Sequence, residues 1–130
     1  MKIVICGSRK FFDGIRKLEE KLRADGHIIF APILNRNTDI NNLPDDLKKY
    51  AFMGLTHHHF NYIRKADVCF IYNKNGYLGN SGTLELGFAV ACGIPIYALN
   101  KDKDEPCRDI LFDFIVNDVE EFIKIMKESR

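Results

Sequence analysis

Short, mostly apolar runs recur along the chain at Ile3-Val4-Ile5-Cys6, His27–Pro32, Asp67–Tyr72, Ile94–Leu99 and Leu111–Val116. Runs of this length without polar alternation predict strands buried on both faces, as in a parallel sheet. Pro32 stops the second, and Pro95 is tolerable near the start of the fourth if its nitrogen lies outside the ladder. Between these runs the apolar period changes to that of a helix. Ile15, Leu18 and Leu22 mark a helix over residues 12 to 25, ended by Gly26. Pro44-Asp45-Asp46 opens a long helix reaching about Lys65, and Asp118 to Lys127 forms a last one with Val119, Phe122, Ile123 and Met126 inward. On the long helix Leu47, Ala51, Phe52, Leu55, Tyr62 and Ile63 share one broad face, with His59 within it and His58 at its edge. Tyr50, Met53 and Phe60 fall outside that face and predict a second buried surface, against another subunit. Leu34 to Leu43 is polar and without period, a loop long enough to act as a flap over a site.

Strands alternating with helices predict an α/β fold, a three-layer sandwich around a parallel five-stranded sheet. Ligands in such folds bind at the carboxyl ends of the strands, at the topological switch point. That rule draws Gly7-Ser8-Arg9, the loop from Tyr72 to Ser81 and Glu85 into one crevice.

The segment Gly79-Asn80-Ser81-Gly82-Thr83-Leu84-Glu85-Leu86-Gly87-Phe88-Ala89-Val90-Ala91-Cys92-Gly93 changes the picture most. Glu85 is the one charge between Lys74 and Lys101, on a stretch that reads as a helix apolar all round and therefore buried. Asn80, Ser81 and Thr83 are N-cap types, so the helix is predicted to begin near Ser81, with Glu85 in its first turn where the dipole favours a negative charge. The Gly-rich lead-in offers backbone N–H groups to a phosphate or a sugar hydroxyl. Glu85 is then either an ionised nucleophile or base facing a pocket, or a local cap of its own helix. Gly87, Ala89 and Ala91 are expected to let the helix lie close to the sheet. Gly7-Ser8-Arg9-Lys10 is either a phosphate cradle or a plain strand–helix turn.

Three consecutive histidines, His57-His58-His59, cannot share a metal, because successive helical side chains diverge. His59 is either a hydrogen-bonded core histidine or a site residue. No metal and no cofactor is expected.

Composition narrows the class. At 130 residues the chain suits one domain, residues 1–130, and its 46% hydrophobic and 28% charged content is ordinary for a globular protein. A net charge of +1 with no basic stripe argues against a nucleic acid polymer as partner. The apolar runs are too short for a signal peptide or a membrane span. Cys6, Cys69, Cys92 and Cys107 lack C-x-x-C spacing, and three lie in apolar segments, which predicts buried reduced thiols and a cytoplasmic protein.

Cys6-Gly7-Ser8, Ile63-Arg64-Lys65-Ala66-Asp67-Val68 and Gly79 to Ala89 together resemble the nucleoside 2-deoxyribosyltransferases and the related 2′-deoxynucleoside 5′-phosphate N-hydrolases. The resemblance covers Met1 to about Leu99. It implies a flavodoxin-like, Rossmann-like domain that cleaves or transfers the N-glycosidic bond of a (deoxy)nucleoside or its monophosphate. It further implies Glu85 as the nucleophile that forms a glycosyl-enzyme intermediate. Gly7, Ser8, Arg9, Gly79, Asn80 and Ser81 would hold the sugar or 5′-phosphate, and subunits would associate as homodimers or larger homo-oligomers. The pattern departs at one place. Eight residues ahead of Asp67, where the family carries an aspartate, stands His59, a residue able to act as a general acid near neutral pH. Two rivals remain: a nucleotide-binding sensor without turnover, and a phosphoribohydrolase resembling the cytokinin-activating enzymes. Asn80 and Leu86 depart from the Gly-Gly-x-Gly-Thr-x-x-Glu motif of the latter.

Overall fold

The computed structural model describes residues 1–32 and 40–129. Five strands, β1 (Lys2–Gly7), β2 (Ile28–Phe30), β3 (Val68–Tyr72), β4 (Ile96–Ala98) and β5 (Phe114–Ile115), form one sheet in the order β2-β1-β3-β4-β5. Every pairing is parallel. The connecting helices are α1 (Phe12–Ala24), α2 (Asp45–Lys65), α3 (Asn80–Ala91), α4 (Pro106–Asp109) and α5 (Val119–Glu128). This is the expected flavodoxin-like α/β architecture, with the order reversing between β1 and β3. The predicted flap lies largely outside the described residues, and its last part is a 3₁₀ turn at Ile40–Asn42.

Strand geometry sends alternate residues to opposite faces. Ile3, Ile5, Phe70 and Tyr72 join Ile15, Leu18 and Leu22 of α1 and Phe122 and Met126 of α5 in one core. Val4, Cys6, Cys69 and Ile71 join Ile63 of α2 and Leu86 and Ala89 of α3 in the other. Gly7 closes β1 because a Cβ there would press on the Tyr72 carbonyl, and Gly14 leaves room for the Tyr72 hydroxyl. Gly26, at φ +90°, turns the chain out of α1.

Three expectations need correction. The apolar helix α3 buries one face only: Gly82, Leu86 and Ala89 point inward, while Leu84 is 62% exposed and Val90 is also outside. Gly87 therefore faces open space rather than the sheet, and a Cβ there would meet nothing. Cys92, in the same apolar segment, is exposed, as is Cys107, whereas Cys6 and Cys69 are buried; all four are free thiols. Uniform apolarity cannot tell a helix sunk in the core from one whose outer face is apolar and uncovered. On α2 only His59 and Ile63 of the predicted stripe are fully buried, and Leu47, Tyr50, Phe52 and Met53 are exposed. Among the described residues no helix is long and apolar enough to cross a membrane.

At the carboxyl ends of β3 and β4 two asparagines clamp the sheet. Asn73, fully buried, accepts from the Leu99 and Asn100 backbone N–H groups at 3.0 Å and donates to the Asn100 carbonyl. Asn100 returns a hydrogen bond to the Asn73 carbonyl at 3.1 Å. The clamp fixes the loop that carries the chain from β3 to α3.

Candidate active site

A cleft of about 420 Å³ opens at this end of the sheet, between α2 and the loops after β1 and β3. Gly7, Ser8 and Arg9 line it from the end of β1 and the turn that follows, Gly79 from the loop after β3, and Asn80, Ser81 and Glu85 from α3. His59 completes the set, so all eight residues nominated from sequence meet in one place. The wall opposite is apolar and aromatic, with Phe52, Leu55, Phe60 and Tyr62 of α2. A polar end beside an apolar wall matches a ligand with a hydroxylated or charged part and a planar part.

The polar end is mostly backbone. The Ser8 hydroxyl accepts from the Lys10 N–H at 3.2 Å and caps the 3₁₀ turn Arg9–Phe11. Lys10 is engaged by an aromatic ring: its ammonium lies 3.9 Å from the centre of the Tyr77 ring, itself part of the cleft lining, while Lys10 does not line the cleft. Arg9 is thus the cation of this turn that lines the cleft. On the other side α3 begins at Asn80, one residue earlier than predicted, with Gly79 as an N-cap that supplies no side chain. Asn80, Ser81 and Gly82 bring the first N–H groups of the helix to the cleft wall.

Glu85 stands in the second turn of α3 and not in the first as expected. Beyond the first turn the helix dipole has fallen away, and Glu85 is too far along to cap its own helix. Its carboxylate Oε2 lies 3.3 Å from Nε2 of His59, and the two side chains are 13% and 9% exposed. Burial pushes the Glu85 pKa up to about 8. Burial, aided by the neighbouring charge of His58 and opposed by a backbone hydrogen bond to Ile5, pulls His59 down to about 4. Both shifts run in the direction that favours the uncharged pair. That direction runs against the expectation of an ionised Glu85.

Cys6 lies beneath this pair. Its Sγ is 3.4 Å from His59 Nε2 and 3.8 Å from Cys69 Sγ. The Cys69 hydrogen bond, then burial and the nearby charges of Cys69 and Glu85, hold the Cys6 thiol well above its usual pKa. The three histidines diverge as expected, His57 and His58 being exposed and His59 buried. A different donor set has assembled instead, because Cys6, His59 and Glu85 place one ligand atom each within 4.8 Å of one another.

One support was not legible in the sequence. Asp102, 3% exposed in an otherwise charged loop, accepts from Arg108 Nε at 2.5 Å and from the backbone N–H groups of Asp104 and Glu105 at 3.0 Å. Burial alone would raise its pKa, but the Arg108 hydrogen bond, those backbone donors and the Arg108 charge outweigh it and hold the carboxyl below its usual value. Arg108 also reaches Thr83 Oγ1 at 3.4 Å, and Thr83 donates to the Gly79 carbonyl at 2.8 Å. The start of α3 is thereby tied to the loop after β4. Asp102 and Arg108 are six residues apart amid other charges, so nothing in the local pattern marked them.

No protein-family model and no curated protein matches the chain. Solved structures do match in fold. A 2-deoxyribosyltransferase from Bacillus psychrosaccharolyticus superposes with a TM-score of 0.67 at 18% identity, over 95% of this chain and 90% of that one. A conserved protein from Enterococcus faecalis V583 gives 0.68 at 17% identity, over 100% and 99%. The CMP N-glycosidase BcmB of Clostridium botulinum gives 0.57 at 16% identity, over 99% and 100%. The flavodoxin-like fold of this chain is therefore similar to that of a 2-deoxyribosyltransferase and a CMP N-glycosidase of known structure.

Proposed function

We propose that this protein breaks the N-glycosidic bond of a nucleoside or nucleoside 5′-monophosphate and passes the sugar to water or to a second base. In this reading it is a relative of the nucleoside 2-deoxyribosyltransferases and nucleotide N-glycosidases. The observation that carries it is the buried contact between Glu85 and His59 inside the cleft, 3.3 Å apart. A glycosyl transfer that retains configuration needs a nucleophile and an acid, and this pair holds both with a single proton. Glu85 hands its proton to His59 Nε2 as its oxygen attacks the anomeric carbon. The carbon–nitrogen bond breaks in that same displacement, and His59 gives the proton to the departing base. In the return step water or a second base attacks the glycosyl ester, its proton goes to His59, and the carboxylate of Glu85 is released and reprotonated. Low local polarity favours the passage of a proton between neighbours over the separation of charge.

The apolar wall of α2 suits the base, and Arg9 with the N–H groups at the start of α3 suits the sugar or its 5′-phosphate. The exposed apolar side chains of α2 and α3, Leu47, Tyr50, Met53 and Leu84 among them, support association into homo-oligomers. Incubation with a panel of nucleosides and monophosphates, followed by chromatography for free base, tests the reaction. Release by the native protein is expected, together with a loss of at least about a thousandfold in Glu85→Ala. Turnover by Glu85→Ala within a few-fold of the native rate would remove Glu85 as nucleophile.

A further inference from the structure

The geometry points to a Zn²⁺ site formed by Cys6, His59 and Glu85. Around a tetrahedral Zn²⁺, bond lengths near 2.0–2.3 Å set neighbouring ligand atoms about 3.3–3.6 Å apart. The structure holds His59 Nε2 at 3.4 Å from Cys6 Sγ and at 3.3 Å from Glu85 Oε2, and all three donor atoms lie within 4.8 Å of one another. A small closing movement of the Glu85 side chain therefore brings the set to a common centre. The ligands come from three elements packed on the same side of the sheet: Cys6 from the central strand β1, His59 from α2 and Glu85 from α3. Such a set is held in place by the core rather than by loops.

The donor chemistry selects the ion. A thiolate and an imidazole favour a borderline-soft cation and disfavour Mg²⁺ and Ca²⁺, which take oxygen ligands. Three protein ligands leave a fourth position for water or a small molecule, reached through the cleft that Glu85 and His59 line. Binding expels two protons, one from the Cys6 thiol and one from the His59–Glu85 pair. Cys69 Sγ, 3.8 Å from Cys6 Sγ, is positioned to donate to the metal-bound thiolate. An ion seated here occupies both His59 Nε2 and the Glu85 carboxylate, so Zn²⁺ and a nucleoside would exclude each other. That consequence rests on the function proposed above; the binding itself does not.

The test needs no substrate. Full-length protein carrying Cys92→Ser and Cys107→Ser, which removes the exposed thiols, is stripped with chelator and titrated with Co²⁺ and then Zn²⁺. The expected result is a near-ultraviolet thiolate-to-cobalt band that saturates at about one equivalent and is bleached by Zn²⁺. Cys6→Ser should abolish the band, weaken Zn²⁺ binding at least about tenfold, and remove the rise in melting temperature that Zn²⁺ gives the parent. His57→Ala with His58→Ala should leave the band in place, which excludes ions held on the exposed histidines. If Cys6→Ser does not fold, Glu85→Gln keeps the thiol and should weaken Zn²⁺ by a similar factor. Absence of a thiolate band, or Zn²⁺ binding that Glu85→Gln leaves unchanged, would overturn the site whether or not the protein proves to be a glycosyl enzyme.

Discussion

The two faces of the sheet are made by alternate residues of the same strands, yet they obey different rules. On one face Ile3, Ile5, Phe70 and Tyr72 meet α1 and α5, whose inner residues are apolar and whose outer residues, such as Arg16, Lys17, Glu20 and Lys124, are charged and exposed. On the other, Val4, Cys6, Cys69 and Ile71 meet α2 and α3, where a thiol, an imidazole and a carboxyl group are enclosed and apolar side chains such as Leu47, Phe52, Leu84 and Val90 are exposed among the polar ones. The first arrangement gains stability from every buried side chain. The second gives some of that gain up, since burying an ionisable group costs free energy whichever charge state it adopts. The difference locates chemistry without reference to any ligand: a thiol, an imidazole and a carboxyl group are enclosed together around one cleft.

Phe70→Ala should have the largest effect on stability. Phe70 is fully buried and its ring lies 4.2 Å from that of Phe122. Truncation should cost about 3–5 kcal/mol, read from denaturant unfolding. Base release per folded molecule should stay within a few-fold of the native rate, because the side chain faces away from the cleft. A tenfold loss per folded molecule would show that the faces are not separable.

Glu85→Gln should have the opposite sign. Glu85 has a folded pKa of about 8 against an ordinary 4.5. Its contribution to stability is therefore complete below pH 4.5 and is lost as the pH rises through 8. His59 runs the other way: with its pKa lowered from 6.5 to about 4, its contribution is present above pH 6.5 and lost as the pH falls through 4. A glutamine cannot ionise, so metal-free Glu85→Gln should be more stable than the native protein above pH 4.5, by an amount that grows toward pH 8. The gain should be on the order of 3 kcal/mol, or roughly 10 °C in melting temperature. Parallel melting curves for the two proteins from pH 5 to 8 would refute the burial account.

The same contrast explains what could be read from the sequence. The strand runs and the α1 and α5 stripes were legible because both periods report burial, and the parallel sheet, though not its strand order, followed from their alternation. On the complex face the residues were nameable but their states were not. Glu85 stood out as a lone charge, yet the burial that raises its pKa and its contact with His59 of α2 come from long-range packing. Cys6 read as a core thiol, and it is one; that it also touches His59 is a contact between residues 53 apart. The Asp102–Arg108 tie to Thr83 was hidden for the same reason. Single-sequence patterns carry periodicity, and these features rest on long-range packing.

The smallest effect expected on the complex face concerns its rim. Arg9 lines the cleft beside the backbone N–H groups at the start of α3, while Lys10 is engaged above Tyr77. A charge-assisted contact from Arg9 to a 5′-phosphate would contribute about 1.5–3 kcal/mol to binding, and a neutral nucleoside could not recover that energy. Arg9→Ala should therefore weaken monophosphates by roughly ten- to hundredfold and nucleosides by little. Because the contact is electrostatic and close to solvent, the native preference for monophosphates should shrink as salt is raised, and the variant should show no such dependence. Fold stability should be unchanged, since Arg9 lies outside both cores. Calorimetric titration with a matched nucleoside and monophosphate at two ionic strengths decides the point. Equal losses for both ligands would mean that the N–H groups of α3 read the phosphate without Arg9, and that the rim, like the simple face, has no part in selecting the substrate.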